Sequence, residues 1–381
     1  MSQTIPPDAP EVVVSEAALH KAEEFIEAEE GAANKFKNWL SVLVTLIAFV
    51  MSAFHLYTAY AIVPTQTLRP VHVGFVLSLC FLVFPVASRF RHRVMWWDWI
   101  AAALSIAVVV YLIVGGDDFT DRNTSPDPWD IVFGIALIAL VMEAMRRSTG
   151  WIMPVITSAF LLYALAGPWL PAPWTHKGYE IGRLVGVMYM TLEGIYGVAV
   201  DVSSSLIILF TIFGAFLQYS GAGKFYIDFS FSAMGGKPTG AGRTVVLASF
   251  LLGGPSGSGV ATTVTLGAVA YPMLAKAGYE RNAAGGLLAA GGLGAIISPP
   301  VLGAAAFLIA EFLKISYLDV LLMAVIPTLM FYLALFLMVE IDARKYGMGN
   351  TKFEKVDTVW NLTRDYWFHF LSLVSIVAFM M

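Results

Sequence analysis

Apolar runs separated by short polar stretches fill the chain from residue 39 onward. A helix needs roughly 20 apolar residues to cross lipid hydrocarbon. The runs at 39–63, 72–88, 97–115, 130–146 and 151–170 predict such helices. Residues 171–183 (PAPWTHKGYEIGR) are rich in turn formers and predict an outside loop. The stretch 184–200 is amphipathic and predicts a helix in the outer interface. A span over 202–219 follows, then a polar loop at 222–243.

Residues 244–275 are apolar but are interrupted by glycine, proline and serine at Gly253–Gly259. Each half is too short to cross alone. Arg243 precedes the stretch, and Lys276 and Arg281 follow it, so both ends belong on one side. This predicts a re-entrant helical hairpin. Residues 282–313 predict a span broken across Gly291–Pro300. Residues 317–341 predict a return span, 342–356 an inside loop, and 366–381 a last span. The fold class is all-α, a polytopic membrane protein of about nine transmembrane helices plus the hairpin.

Composition agrees with this pattern. Of 381 residues, 58% are hydrophobic and 13% are charged, against roughly 25% charged in soluble domains. The formal net charge of -4 argues for no nucleic-acid partner. The single cysteine, Cys80, forms no intrachain disulfide. Residues 1–38 are polar and acidic and read as a cytoplasmic tail, with no signal-peptide pattern.

Charge also sets orientation. Arg89, Arg91 and Arg93 mark a cytoplasmic loop. Asp117, Asp118, Asp121 and Asp127 mark the far side, with Arg122 as the one opposing charge, and Arg146 and Arg147 return the chain inside. The N-terminus is then cytoplasmic. Trp96, Trp97, Trp99, Trp129, Trp151, Trp169 and Trp174 fall at the expected interfaces.

The two helix breaks carry the candidate chemistry. Irregular backbone at membrane depth is tolerated where it is buried in protein or lines a cavity. At the hairpin tip, Gly254, Ser256, Gly257 and Ser258 offer carbonyls and hydroxyls, which are hard oxygen ligands for an alkali cation, and Thr262, Thr263 and Thr265 add hydroxyls. Half-helix amino ends suit an anionic solute. In the second break, Gly291 and Gly294 precede Ser298, Pro299 and Pro300. Paired prolines remove amide donors and disfavour helix at the preceding residue. A carbonyl freed there needs a partner, and a cation is one. Close helix packing by small residues accounts for the same glycines, and a simple kink accounts for the prolines.

Of the charged residues near spans, Glu311 and Lys314 read as a structural i,i+3 pair. Asp201 is a candidate for proton coupling, and Glu193 lies just before it. No P-loop or H-E-x-x-H pattern occurs, and the six histidines are scattered. Gly254-Pro255-Ser256-Gly257 matches the G-x-S-G of intramembrane serine proteases, which need a histidine base; His369 and His55 are poorly placed for it.

From about Trp151 to Met348 the chain resembles a TRAP (tripartite ATP-independent periplasmic) transporter membrane component of the TAXI type, with small and large membrane subunits fused. The resemblance rests on GGPSGSGVATTVTLGAVAYPML (Gly253–Leu274), AGYERNAAGGLLAAGGLGAIISPPVLGAAAFLIAEFL (Ala277–Leu313) and SYLDVLLMAVIPTLMFYLALFLMVEIDARKYGM (Ser316–Met348). It implies a four-helix small-subunit-like region at 39–148 and a first transport repeat at 149–348. Residues 349–381 would be a loop and the start of a second repeat, so the chain reads as the first half of an elevator-type inverted-repeat transporter, apparently truncated.

The resemblance also implies an inner-membrane permease, not an enzyme. It would import a small organic anion, a carboxylate, delivered by a periplasmic TAXI-type binding protein and driven by Na+ or H+. The ion or solute site would include Gly254, Ser256, Gly257, Ser258, Thr262, Gly291, Gly294, Ser298 and Pro299. Na+ would sit at Ser256, Ser258, Gly294 and Ser298. Ala261-Thr262-Thr263 and Gly292-Leu293-Gly294-Ala295 stand where many relatives carry more polar runs, which leaves proton coupling open beside sodium. A channel-like pore, an intramembrane protease and an inactive fragment are the alternatives.

Overall fold

With no water to pair with, backbone N–H and C=O groups in lipid must bond within their own segment, so the apolar runs fold as helices. The computed structural model describes residues 34, 36, 39–91, 93–234, 239–256, 259–346 and 358–380. Among them seven helices are long and apolar enough to cross a membrane, and no strand occurs. The two other expected spans are a helix in two pieces, over 281–313, and a short apolar helix, Phe368–Met380. The chain divides into two compact units, one from Glu27 to Leu209 and one including Phe210 onward.

The first unit holds α1 (Trp39–Tyr60), α2 (Thr65–Val83), α3 (Trp96–Asp121), α4 (Pro128–Thr149), α5 (Ile152–Ala166), α6 (Ile181–Met190) and α7 (Val198–Val202), which continues as a π-helical stretch, Ser203–Ile207. Its core joins Leu77 and Phe81 of α2, Val108 of α3, Leu137 of α4 and Tyr189 of α6. Three boundaries differ from the sequence reading. Helix α2 begins at Thr65, before the expected 72. Helix α3 kinks where the sequence predicts its end, at Gly116, whose φ of 53° is non-helical, and a further helical turn then runs to Asp121. The expected interfacial helix over 184–200 is instead α6 followed by a tight turn. Val185 and Tyr189 are buried, and Gly194 folds back so closely that a Cβ would lie 2.4 Å from Met188 Cα.

Two buried ion pairs close the ends of this unit. Arg147 donates to Asp98 at 2.6 Å, each side chain only 3% exposed. Asp130, fully buried, accepts from Arg122 at 2.6 Å, from the Tyr111 hydroxyl at 2.8 Å and from the Asp127 backbone N–H at 2.9 Å.

The second unit holds α8 (Ile208–Tyr219) from Phe210 onward, α9 (Ala222–Met234), α10 (Gly240–Ser256), α11 (Gly259–Lys276), α12 (Arg281–Ile297), α13 (Ala304–Leu313), α14 (Tyr317–Lys345), α15 (Val359–Tyr366) and α16 (Phe368–Met380). The expected loop at 222–243 is mostly α9. Its charged Lys224 and Asp228 hide an apolar face, and Phe225, Tyr226 and Ile227 are buried. Helices α10 and α11 are the arms of the hairpin and pack on each other and on α12. Ser316 caps α14, its hydroxyl oxygen accepting from the Asp319 N–H at 3.1 Å. Glu311 and Lys314 form the expected ion pair at the end of α13.

Candidate functional site

The hairpin interrupts its helices less than the sequence predicts. Helix α10 runs through Ser256 and α11 starts at Gly259, so Gly254 is helical. Gly257 and Ser258 lie outside the described residues, as does the Ser256 side chain. Thr262 is buried in the first turns of α11. The Thr263 hydroxyl donates back to Gly259 O at 2.8 Å.

The second break is also shorter than expected. Helix α12 is continuous to Ile297, and only Ser298–Gly303 leave the helix before α13. Gly291 and Gly294 are therefore helical and not unwound. Their role is close approach. A Cβ at Gly291 would lie 2.8 Å from the Ser249 hydroxyl oxygen, and one at Gly294 would lie 2.5 Å from the Tyr332 oxygen. At Gly292 it would lie 1.8 Å from the Thr263 hydroxyl oxygen and 2.5 Å from Gly259 O. Both arms of the hairpin press on α12 through these positions, as small residues permit. The prolines alone end the helix: Pro299 holds Ser298 extended, at φ -86° and ψ 122°.

Most carbonyls freed by the break are already satisfied. Ile297 O accepts from the Thr328 hydroxyl at 2.6 Å, and Ile296 O accepts from the Gly303 N–H at 2.7 Å. The buried Ser298 hydroxyl donates to Gly294 O at 2.6 Å and lies 3.1 Å from the Tyr332 hydroxyl. The Tyr317 hydroxyl donates to Pro300 O at 3.3 Å. Among the described residues, nothing donates to the carbonyl oxygens of Ser298 or Pro299.

The two breaks meet. The Val301 N–H donates to Gly254 O at 3.2 Å, and a Cβ at Gly254 would lie 2.9 Å from Pro299 O. Gly253 touches Ala295 just as closely, with a Cβ–Cβ distance of 2.5 Å for an added methyl. Of the sequence-predicted residues, Gly254, Ser298 and Pro299 therefore converge on one point. Gly291 and Gly294 sit earlier on α12, at its packing face. Beside them, Arg243, Phe250, Thr328, Tyr332 and Phe336 help line a mostly apolar cavity of about 230 Å³. Arg243 is paired there with Glu340.

Tyr332, Thr328 and Tyr317 were missed by sequence reasoning. They lie 34, 31 and 17 residues from their partners, and their hydroxyls carry no local signal. In the first unit, Asp201 is not a lone carboxylate. Arg69 grips it through two contacts, at 2.9 and 2.8 Å.

The family model described as "Tripartite ATP-independent periplasmic transporter, DctM component" matches residues 136–381. The chain is 30% identical over 171 residues to the 2,3-diketo-L-gulonate TRAP transporter large permease protein of Escherichia coli (strain K12). That match covers 45% of this chain and 40% of the relative. It is 26% identical over 170 residues to the C4-dicarboxylate TRAP transporter large permease protein DctM of Rhodobacter capsulatus, covering 45% of this chain and 34% of the relative. The chain thus matches well under half the length of these relatives. The family is a transporter component, which removes the protease alternative. Together with the apolar helices it indicates a multi-pass protein of the inner membrane. Nearly two thirds of the sequence falls within the family match, and the chain belongs to the DctM large-permease family of TRAP transporters.

Proposed function

We propose that this chain forms part of a cation-coupled secondary transporter that imports a small organic acid. The observation that carries the reading is the meeting of Gly254 with Pro299 and Val301, which joins the hairpin tip to the helix break. Two relatives are described by organic acids, diketogulonate and C4-dicarboxylate, which supports a carboxylate as solute. A periplasmic binding protein of the TAXI type would deliver it.

In this reading the hairpin and broken helix move together with the solute as an elevator, and residues 39–148 act as a small-subunit-like scaffold. The N-terminus is cytoplasmic by the arginine bias of the loops. The Ser298 hydroxyl oxygen, oriented by its donation to Gly294 O, and the carbonyls of Ser298 and Pro299 are the proposed cation ligands, with Gly254, Ser256, Gly257, Ser258 and Thr262 supplying the tip side. Gly291 and Gly294 contribute by letting the helices approach. The coupling ion is Na+ or H+: hard oxygen ligands suit Na+, and the few polar side chains in Ala261-Thr262-Thr263 and Gly292-Leu293-Gly294-Ala295 leave H+ beside it.

Uptake of a labelled dicarboxylate into proteoliposomes tests this, with the binding protein outside and a Na+ or pH gradient imposed. Saturable, gradient-driven uptake that requires the binding protein is expected. Conduction without saturation or binding protein favours a channel and contradicts the proposal.

A further inference from the structure

The Glu27–Leu209 unit contains a polar chain that the transport reading does not use. His55 of α1 and His72 of α2 are 0% and 4% exposed. His55 Nδ1 lies 2.7 Å from Met51 O, His55 Nε2 lies 2.9 Å from His72 Nδ1, and His72 Nε2 lies 3.0 Å from the Ser203 hydroxyl oxygen. Three separate segments, including the π-helical stretch after α7, meet through these contacts.

The hydrogens can be assigned from the partners. A carbonyl only accepts, so His55 Nδ1 carries a hydrogen and, in a neutral ring, His55 Nε2 accepts. His72 Nδ1 must then donate, His72 Nε2 accepts, and the Ser203 hydroxyl donates. With both rings neutral, every group is satisfied.

One added proton fits the same geometry. Placed on His72 Nε2, it turns the Ser203 oxygen from donor to acceptor. A hydrogen shift across the 2.9 Å contact then moves the charge to His55 without breaking any contact. A second proton would set N–H against N–H across that contact. At the far end the Met51 carbonyl has no proton to pass on, so the chain ends there.

The surrounding charges are balanced. Arg69, three residues before His72, pairs with Asp201, two residues before Ser203, and also donates to Tyr196 O at 3.0 Å. The same turn carries the buried Tyr196 hydroxyl and the exposed Glu193 carboxylate. Of the charges on the other helices packed against α2, Asp98 and Glu143 are engaged with Arg147 and Asp130 with Arg122, while Asp117, Asp118 and Asp121 are exposed at the end of α3. Neither histidine faces an unpaired cation that would repel a proton.

We propose that His55 and His72 form a store for one proton, loaded through Ser203 and closed at Met51. The store does not depend on whether the hairpin holds a cation. Glutamine keeps a donor and an acceptor but takes up no proton, so a His55→Gln/His72→Gln variant is the comparison. Proton uptake by the purified protein is titrated from about pH 8 to about pH 4, the range that brackets a perturbed histidine. The wild-type protein is expected to bind one proton per chain more than the variant. A difference of zero, or of two, overturns the proposal. If the variant does not fold, ring-nitrogen NMR of the 15N-histidine-labelled wild-type protein decides. The two rings must shift together in one step; no shift, or two separate steps, overturns it.

Discussion

The backbone N–H of Val301 donates to the carbonyl oxygen of Gly254 across 3.2 Å. This bond ties the hairpin tip to the segment that follows the paired prolines. It leaves the Pro299 carbonyl facing the tip, at a distance where a Cβ on Gly254 would lie only 2.9 Å away. The helix break and the hairpin are thus one structural unit, and the packing of α12 against both arms holds them in register.

That packing sets the first expectation. Gly292→Ala would place a Cβ 1.8 Å from the Thr263 hydroxyl oxygen and 2.5 Å from Gly259 O, which is backbone. Overpacking of this kind costs about 1–3 kcal/mol. Thermal unfolding in detergent should show a clear loss of stability. Gly285→Ala, where nothing lies within 4 Å, should be neutral or slightly stabilising, since alanine favours helix by about 1 kcal/mol over glycine.

Thr328 closes the end of α12. Its hydroxyl lies 2.6 Å from Ile297 O and 2.7 Å from Ala324 O. Thr328→Val keeps the shape and removes the donor, so it should cost about 1–2 kcal/mol. Thr328→Ser should restore most of it. Equal stability for the valine and serine variants would show that the hydroxyl does not hold the break.

The two kinds of ion pair should behave differently. Arg147→Gln leaves the buried Asp98 carboxylate without its cation, and such a loss costs about 3–5 kcal/mol. Lys314→Gln breaks an exposed pair, with Lys314 73% exposed, and should change stability by less than about 0.5 kcal/mol. Chemical unfolding of both variants in one detergent makes the comparison.

Arg69 and Asp201 should show coupling. Arg69→Gln and Asp201→Asn singly should each lower stability by about 1–3 kcal/mol, because each leaves a half-buried charge unpaired. The double variant should lose less than the sum of the two. Strict additivity in a double-mutant cycle would mean that the pair contributes nothing.

The spans and the hairpin were legible because lipid imposes a length and a composition. Runs such as 39–63 and 130–146 show both, and Arg243, Lys276 and Arg281 bracket the hairpin. The extent of the second break was not legible. A glycine that unwinds a helix and a glycine that lets Thr263 approach look alike in sequence, and only the neighbour distinguishes Gly292 and Gly294 from Ser298. Helix α9 was hidden by Lys224 and Asp228, which read as a loop until Phe225 and Tyr226 are seen to be buried. The Arg69–Asp201 pair spans 132 residues, and no local pattern announces it. Likewise His55 and His72 look scattered until α1 and α2 are packed together.

The most direct measurement is the cation dependence of solute uptake by the protein and by its Ser298→Ala variant. Ser298 sits where the break meets the tip, with its hydroxyl held by Gly294 O at 2.6 Å. If the break holds the coupling cation, the variant should need about tenfold more cation for half-maximal uptake, the equivalent of roughly 1.4 kcal/mol for one altered ligand. Its unfolding temperature should stay close to that of the wild type. Identical cation dependence in the two proteins would contradict the assignment of the cation to this break.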